Sequence, residues 1–442
     1  MDIKNNNSTF LEKQFKLSEN NTNVKTEVLA GITTFMTMAY ILVVNSLILS
    51  DTGMDKNAVF AATAIASFIG SMVMGVFANY PIALAPGMGL NAFFAYTVVI
   101  GMGHSWQFAL CAVLIEGLIF ILLTITNVRE KIIDYIPTVL KHSVTAGIGL
   151  FIAFIGLCNA GIVVNGATIL ALGDIKNPLV VLTLVGIVLA GALLTNNVKG
   201  AFLISMIVIS IIGMVFGLVE LPEGIISAPP SIEPIFLGAL SVPVNEIFSF
   251  DMVIVVLTFL FVDLFDTVGC LIGVASKGNL LDENGKLPRA KEALFADAIG
   301  TTAGALLGTS TVTAYIESAS GIGEGGRTGL TAITTGLMFL LALFFAPLFT
   351  AIPSQATAPV LIIVGVMMAS SLNQIDFSDF TNAIPAFLTF TMMPFTYSIA
   401  DGIIFGIMSY TLLKLISNKK EEINLSLIIL SILFICKFIF MH

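Results

Sequence analysis

Ile82-Ala-Leu-Ala-Pro-Gly-Met-Gly-Leu-Asn91 decides the fold of this chain. It sits in a run otherwise apolar enough to cross a bilayer, yet Pro86, Gly87 and Gly89 break a helix there. Non-helical backbone at membrane depth is tolerated only where protein buries it or it lines a watery cavity. A second such segment, Gly308-Thr-Ser-Thr-Val-Thr-Ala-Tyr-Ile-Glu-Ser-Ala-Ser-Gly321, is rich in Thr, Ser and Gly where a lipid-facing helix would carry Leu. Paired broken segments in corresponding halves of a chain point to a transporter's binding site. Ile69-Gly70 leads into the first break and Ile299-Gly300 into the second at the same distance, as an inverted repeat would require.

The rest of the sequence agrees with a membrane fold. Of 442 residues, 57% are hydrophobic and only 11% charged, against about a quarter charged in soluble chains. Apolar runs of spanning length predict spans at 28–50, 58–78, 82–101, 106–126, 139–157, 179–195, 200–218, 251–275, 293–308, 311–325, 329–349 and 358–370. The stretch 383–416 is too long for one span and divides at the turn-like Tyr397–Gly402. The expectation is an all-α polytopic membrane protein of about 14 transmembrane spans in two inverted seven-span repeats, with short extended breaks in spans 3 and 10.

Positive charges test this arrangement, because cytoplasmic loops are enriched in Lys and Arg. With the N-terminus inside, Lys4, Lys13, Lys16, Lys25, Arg129, Lys131, Lys141, Lys199, Lys277, Lys286, Arg289, Lys291, Arg327, Lys414, Lys419 and Lys420 fall inside; Lys56 and Lys176 fall outside. The loop Val219–Phe250 has no Lys or Arg but carries Glu220, Glu223, Glu233 and Glu246, as an external loop should. Fourteen spans keep Lys414, Lys419 and Lys420 inside, which is why 383–416 is split. Residues 1–27 read as a disordered cytoplasmic leader without the features of a secretory signal. The tail 417–442 contains the apolar stretch 425–441, either an extra span or a surface helix.

Several functions are excluded. No basic stripe supports nucleic-acid binding, and Cys111, Cys158, Cys270 and Cys436 stand alone as packing residues rather than metal or redox pairs. Gly321-Ile-Gly-Glu-Gly-Gly326 matches a dinucleotide fingerprint but lacks its soluble strand–turn–helix context. No protease, hydrolase or nucleotide-powered pump motif occurs. The reading is a protein that is not an enzyme and needs no cofactor or metal.

Acids inside the apolar runs carry the functional argument. These are Glu116, Asp263, Asp266, Asp297 and Glu317, with Glu324 and Asp401 nearer span ends. Each Asp at a helix centre costs about 2.5–3.5 kcal/mol to insert, so function is the default explanation for several together. In Phe261-Val-Asp-Leu-Phe-Asp-Thr-Val-Gly269 the spacing puts Asp263 and Asp266 on one helix face beside Thr267. Glu317 opens the half-helix after the second break, whose N-terminus favours negative charge. Asp297 is a coupling group or a hydrogen-bonded support, and Glu116 could equally bond a neighbouring helix.

A cleft lined only by acids suits protons, cations or neutral solutes rich in N–H donors, and it repels anions. Purine bases fit: a carboxylate accepts two N–H bonds side by side, and a flat ring lies against aromatic or apolar groups such as Phe93, Phe94, Phe265 and Tyr315. A carboxyl withdrawn from water favours its protonated form, so such a site could carry a proton with the base. The competing readings are an anion carrier of the same architecture and a uracil/xanthine permease.

In these residues the chain resembles the nucleobase/ascorbate transporter superfamily, in its adenine, guanine and hypoxanthine permease branch. The matching stretches are Ala-Gly-Ile-Thr-Thr-Phe-Met-Thr-Met-Ala-Tyr in span 1 and Ala-Pro-Gly-Met-Gly-Leu-Asn-Ala-Phe-Phe in span 3. Spans 8, 9 and 10 contribute Phe-Val-Asp-Leu-Phe-Asp-Thr-Val-Gly, Ala-Asp-Ala-Ile-Gly and Thr-Ala-Tyr-Ile-Glu-Ser-Ala-Ser-Gly-Ile, and Pro-Ala-Phe-Leu-Thr lies near Pro385. The resemblance implies core segments at 28–126 (spans 1–4) and 251–350 (spans 8–11), gate segments at 127–218 (spans 5–7) and 351–416 (spans 12–14), and an external loop at 219–250. It implies a purine symporter of the inner cell membrane with substrate near Asn91, Asp263, Asp266, Glu317 and Ser318, supported by Asp297 and Thr267. It also implies a homodimer joined through gate domains.

Overall fold

The computed structural model describes residues 10–126, 137–166, 169–222, 224–282, 287–424, 427–428 and 431. Among them, nine helices are long and apolar enough to cross a membrane, and two shorter apolar helices, Met88–Gly101 and Ala201–Val215, join them. In chain order spans 1 to 7 are Val24–Ser50, Lys56–Ala78, the broken Leu84–Gly101, Trp106–Ile125, Thr138–Asn159, Pro178–Thr195 and Ala201–Val215. Spans 8 to 14 are Phe250–Lys277, Ala290–Leu307, the broken Val312–Gly323, Gly329–Thr350, Ser354–Gln374, Phe380–Thr396 and Ile399–Ile416. These match the fourteen expected segments.

Local chemistry fixes their ends. Asn23, Asp55, Ser105, Ser249, Thr328 and Ser398 each accept a backbone N–H from the first turn of the helix they precede, satisfying donors that a helix start leaves open. Gly308 ends span 9 with φ +98°, a conformation that costs glycine little. Spans 13 and 14 part at Tyr397, whose φ is +56°, as the turn-like sequence there predicts.

Spans 2 and 9 cross at Gly70 and Gly300. A Cβ built on Gly300 would lie 2.9 Å from Val312 Cγ1 and 3.3 Å from the Gly70 Cα. The two breaks meet beside this crossing as a two-stranded antiparallel sheet, Leu84–Pro86 (β1) against Val312–Ala314 (β4), with Ala85 opposite Thr313. Ser71 of span 2 bonds both backbone groups of Leu84, accepting from its N–H at 2.9 Å and donating to its carbonyl at 3.2 Å. Thr301 of span 9 repeats this on Val312, at 3.3 and 3.0 Å. Leu84 and Val312 occupy equivalent ends of the paired strands, so the two breaks are related by a local pseudo-two-fold axis through the sheet. A smaller hairpin, Val163–Asn165 (β2) with Leu170–Leu172 (β3), joins spans 5 and 6.

Packing sorts the spans into two sets. Span 9 packs on 2 and 4, and spans 1, 2 and 11 pack together; span 5 packs on 12 and 13, span 12 on 6, and span 13 on 14. The loop before span 8 lies over the first set: Ile235 fills the space beside Gly308, and Leu237 N–H bonds Leu306 O at 2.8 Å.

The leader departs from expectation. Phe10–Phe15 is a helix, and Phe15 and Leu17 are buried against Leu330. Asn79 donates to Phe15 O at 3.2 Å and Gln14 to Val76 O at 3.3 Å. Two apolar side chains and two bonds to the end of span 2 hold a segment whose polar composition predicts disorder, and span 1 accordingly starts at Val24 rather than 28. Lys4, Arg129, Lys131 and Lys286, and nearly all of 425–441, lie outside the described residues.

Candidate functional site

Chain breaks free backbone groups, and here the two breaks satisfy one another. Besides the β1–β4 pairing, Gly87 N–H bonds Thr311 O at 3.0 Å and Tyr315 N–H bonds Ala83 O at 3.1 Å. Ser318 accepts from Ala83 N–H at 3.0 Å. Span 10 then resumes as the helix Ser318–Gly323, preceded by Glu317. Gly87 has no room for a side chain: a Cβ would stand 2.5 Å from Thr313 Cγ2 and 3.4 Å from Asp266 Oδ2. The break of span 3 thus lets span 8 bring a carboxylate against β1.

The two acids of span 8 have different surroundings. Asp263 is fully buried, and Thr267 Oγ1 lies 3.0 Å from its Oδ1 and 2.7 Å from Asp297 Oδ1 on span 9. Asp266 faces the breaks, with Thr313 Oγ1 3.5 Å from its Oδ2. The three-residue spacing leaves them about 60° apart around the helix, enough for one to face span 9 and the other the sheet.

Glu317 accepts the phenolic O–H of Tyr40 on span 1 at 2.6 Å. It stands within electrostatic reach of Asp266, as does Asp297, and Tyr40 and Tyr315 lie within reach of both Asp266 and Glu317. Asp266 and Glu317 sit deep in the helix packing yet keep accessible surface, whereas Asp263, Asp297, Thr267, Asn91 and Ser318 keep none. Of these acids, Asp266 and Glu317 are therefore the two that a solute could reach. Among the described residues no Lys or Arg forms an ion pair with either.

Asn91 belongs to a different cluster. Its Oδ1 accepts from Ser310, while Thr311 donates to Glu116 Oε2 at 2.7 Å and Asn45 donates to Thr309 Oγ1 at 2.8 Å. Spans 1, 3 and 4 thereby clamp Thr309-Ser310-Thr311, the entry to the second break. Phe93 packs edge-on against Phe259 with centroids 4.8 Å apart, and both Phe93 and Phe94 are fully buried. Tyr315 uses its hydroxyl on Pro86 O at 2.5 Å.

Tyr40, Ser71, Thr301 and Thr313 touch this site without having been singled out from the sequence. A polar aromatic within a long apolar run, one of seven tyrosines in the chain, is the signal that could have drawn Tyr40 in. The three hydroxyls gave no such signal, because Ser and Thr are common in membrane helices as local backbone partners.

Comparison with known proteins places this geometry in a family. The Permease family model Xan_ur_permease matches residues 25–405. A putative permease of Methanocaldococcus jannaschii is 51% identical over 433 residues, 98% of this chain and 99% of that protein. The guanine/hypoxanthine permease PbuG of Bacillus subtilis is 48% identical over 437 residues, covering 97% and 99%. The adenine permease AdeP of Escherichia coli is 45% identical over 431 residues, covering 97% and 96%. Among solved structures, the transmembrane domain of a cyanobacterial bicarbonate transporter, BicA, superposes with a TM-score of 0.64 at 15% identity, over 87% of this chain and 97% of that one; at that identity the likeness is one of fold. The chain belongs to the Permease family of the nucleobase/ascorbate transporters, and it is a multi-pass membrane transport protein rather than an enzyme.

Proposed function

We propose that this permease imports purine nucleobases, among them hypoxanthine, guanine and adenine, by proton symport with alternating access. The observation that carries the reading is the pair Asp266 and Glu317, brought from spans 8 and 10 within electrostatic reach of one another beside the β1–β4 sheet, both partly accessible. Two acceptor-only carboxylates that pair with no Lys or Arg among the described residues suit a neutral ring presenting N–H donors and disfavour an anion. The names of the adenine and guanine/hypoxanthine relatives support the same substrate class.

Asp266 and Glu317 are assigned to the base, with Ser318, Asp263, Asp297 and Thr267 behind them. The Thr267 hydroxyl has one proton for two carboxylate oxygens, so both short contacts are favourable together when one acid carries a proton. That arrangement supports proton coupling, and a potential of 100 mV adds about 2.3 kcal/mol per charge moved. Asn91 acts by holding the entry to span 10. Spans 1–4 and 8–11 form the moving core and spans 5–7 and 12–14 the gate. The N-terminus is assigned to the cytoplasm of the inner membrane because Lys199, Lys277, Arg289, Lys291, Arg327, Lys414 and Lys419 follow or precede spans on the side where span 1 begins.

The test is uptake of labelled hypoxanthine into proteoliposomes with an imposed proton gradient, with competition by unlabelled adenine, guanine, xanthine, uracil and bicarbonate. Competition by the purines and stimulation by an inward proton gradient are expected. Uptake indifferent to the gradient, or competed by bicarbonate alone, contradicts the reading.

A further inference from the structure

A carboxylate at the end of three rotatable bonds recognises a rigid base only if something holds it still. For Glu317 that holder comes from span 1. The half-helix after the second break lies directly on this span: a Cβ on Gly321 would fall 2.2 Å from Thr34 Oγ1 and 2.7 Å from Ala30 O. One helical turn on, Thr37 Oγ1 approaches the backbone carbonyl of Glu317 at 3.5 Å. Beyond it Tyr40 reaches the side chain, donating to Oε1 at 2.6 Å.

Tyr40 is placed to be rigid. It begins the second helical section of span 1, Tyr40–Ser50, directly after the junction at Ala39, and only 1% of its surface is accessible. Phe202 at the start of span 7 packs edge-on against its ring, with centroids 5.2 Å apart and planes at 72°. Ring packing fixes where the O–H points, and that O–H fixes one oxygen of the carboxylate. The other charged or titratable groups near this pair include Asp266, Cys270 and Tyr315, and Tyr315 already spends its proton on Pro86 O.

We propose that Tyr40 is a positioning residue for Glu317: its hydroxyl locks the carboxylate in the orientation offered to the purine, without itself contacting the base. This rests on the site reading above and extends it to a residue of span 1. A neutral filler at position 40 would brace the helices equally well but would leave Glu317 free to rotate.

The experiment compares Tyr40→Phe, Glu317→Asp, the double variant and Glu317→Gln in the full-length protein, by initial rates of hypoxanthine uptake in proteoliposomes. Tyr40→Phe keeps the ring against Phe202 and removes only the O–H. It is expected to raise KM about tenfold, the usual scale for a lost hydrogen bond to a charged group, with maximal rate within about twofold. Glu317→Asp withdraws the carboxylate from Tyr40 and is expected to raise KM similarly, and adding Tyr40→Phe to it should change KM no further. A wild-type KM in Tyr40→Phe, or effects that multiply in the double variant, overturns the proposal. Should Tyr40→Phe fail to accumulate, KM of Glu317→Asp decides: a wild-type value overturns it and a raised value supports it. Glu317→Gln separates the two levels, because wild-type transport by that variant sinks the site reading itself.

Discussion

Gly70 and Gly300 face each other across the crossing of spans 2 and 9, with only 3.3 Å between the Gly70 Cα and a Cβ built on Gly300. One residue further along each helix, Ser71 and Thr301 cap the two broken strands in equivalent ways. The crossing therefore sets the height of the β1–β4 sheet, and with it the position of Thr313 against Asp266.

A side chain at this crossing should be costly. Gly300→Leu forces spans 2 and 9 apart or displaces Val312, and overpacking of that kind costs about 1–3 kcal/mol. The variant is expected to melt at lower temperature in detergent and to lose uptake. Gly273 on span 8 provides the contrast, since a Cβ there meets nothing within 4 Å. Gly273→Ala is expected to be neutral or to stabilise by about 0.5–1 kcal/mol through helix propensity. Thermal melts of the two purified variants check both signs.

Thr267 joins Asp263 to Asp297, and removing its hydroxyl takes a short contact from each of these buried carboxyls. Thr267→Val preserves volume and is expected to cost about 1.5–3 kcal/mol, the scale of a lost hydrogen bond to a charged group. Uptake should fall about tenfold or more by the same reasoning, while Thr267→Ser should retain most of it. Equal activity in the Val and Ser variants would count against a proton shared among these three residues.

Asp379, which caps span 13, gives a prediction about pH. Hydrogen bonds from Lys419 and Thr381 hold its carboxyl well below the usual carboxylate range, and Lys419 is raised by the same contact. A depressed folded value stabilises the protein above the ordinary carboxylate pKa, and the contribution disappears as pH falls through the folded value. Wild type should therefore melt higher than Asp379→Asn at pH 5–8, with the gap narrowing below about pH 4. A gap that widens on acidification would show that the contact works otherwise.

Much of this architecture was legible from residue types. Pro86, Gly87 and the Thr/Ser run at 309–313 announced the breaks, because helical backbone groups must be satisfied internally in lipid. The spacing of Lys and Arg correctly split 383–416, where the chain turns at Tyr397. The acids announced themselves by their insertion cost. What the sequence left open depends on rotation and distance: Asp263 and Asp266 share a helix, but only the crossing with span 9 directs one toward Asp297 and the other toward Thr313. Asn91, expected near the substrate, holds Ser310 through its Oδ1, because an amide next to a break is also suited to bracing it. The leader looked disordered because two buried side chains, Phe15 and Leu17, weigh little in a composition dominated by Asn and Lys.

The most direct test of the proposed site is equilibrium binding of labelled hypoxanthine to purified full-length protein in detergent, where transport plays no part. Glu317→Gln and Asp266→Asn, each removing one accepting carboxylate, are expected to lose about 100-fold in affinity while their melting temperatures stay at or above wild type. Unchanged affinity in both variants would contradict the account, because it would mean that the base docks away from the meeting point of spans 3, 8 and 10.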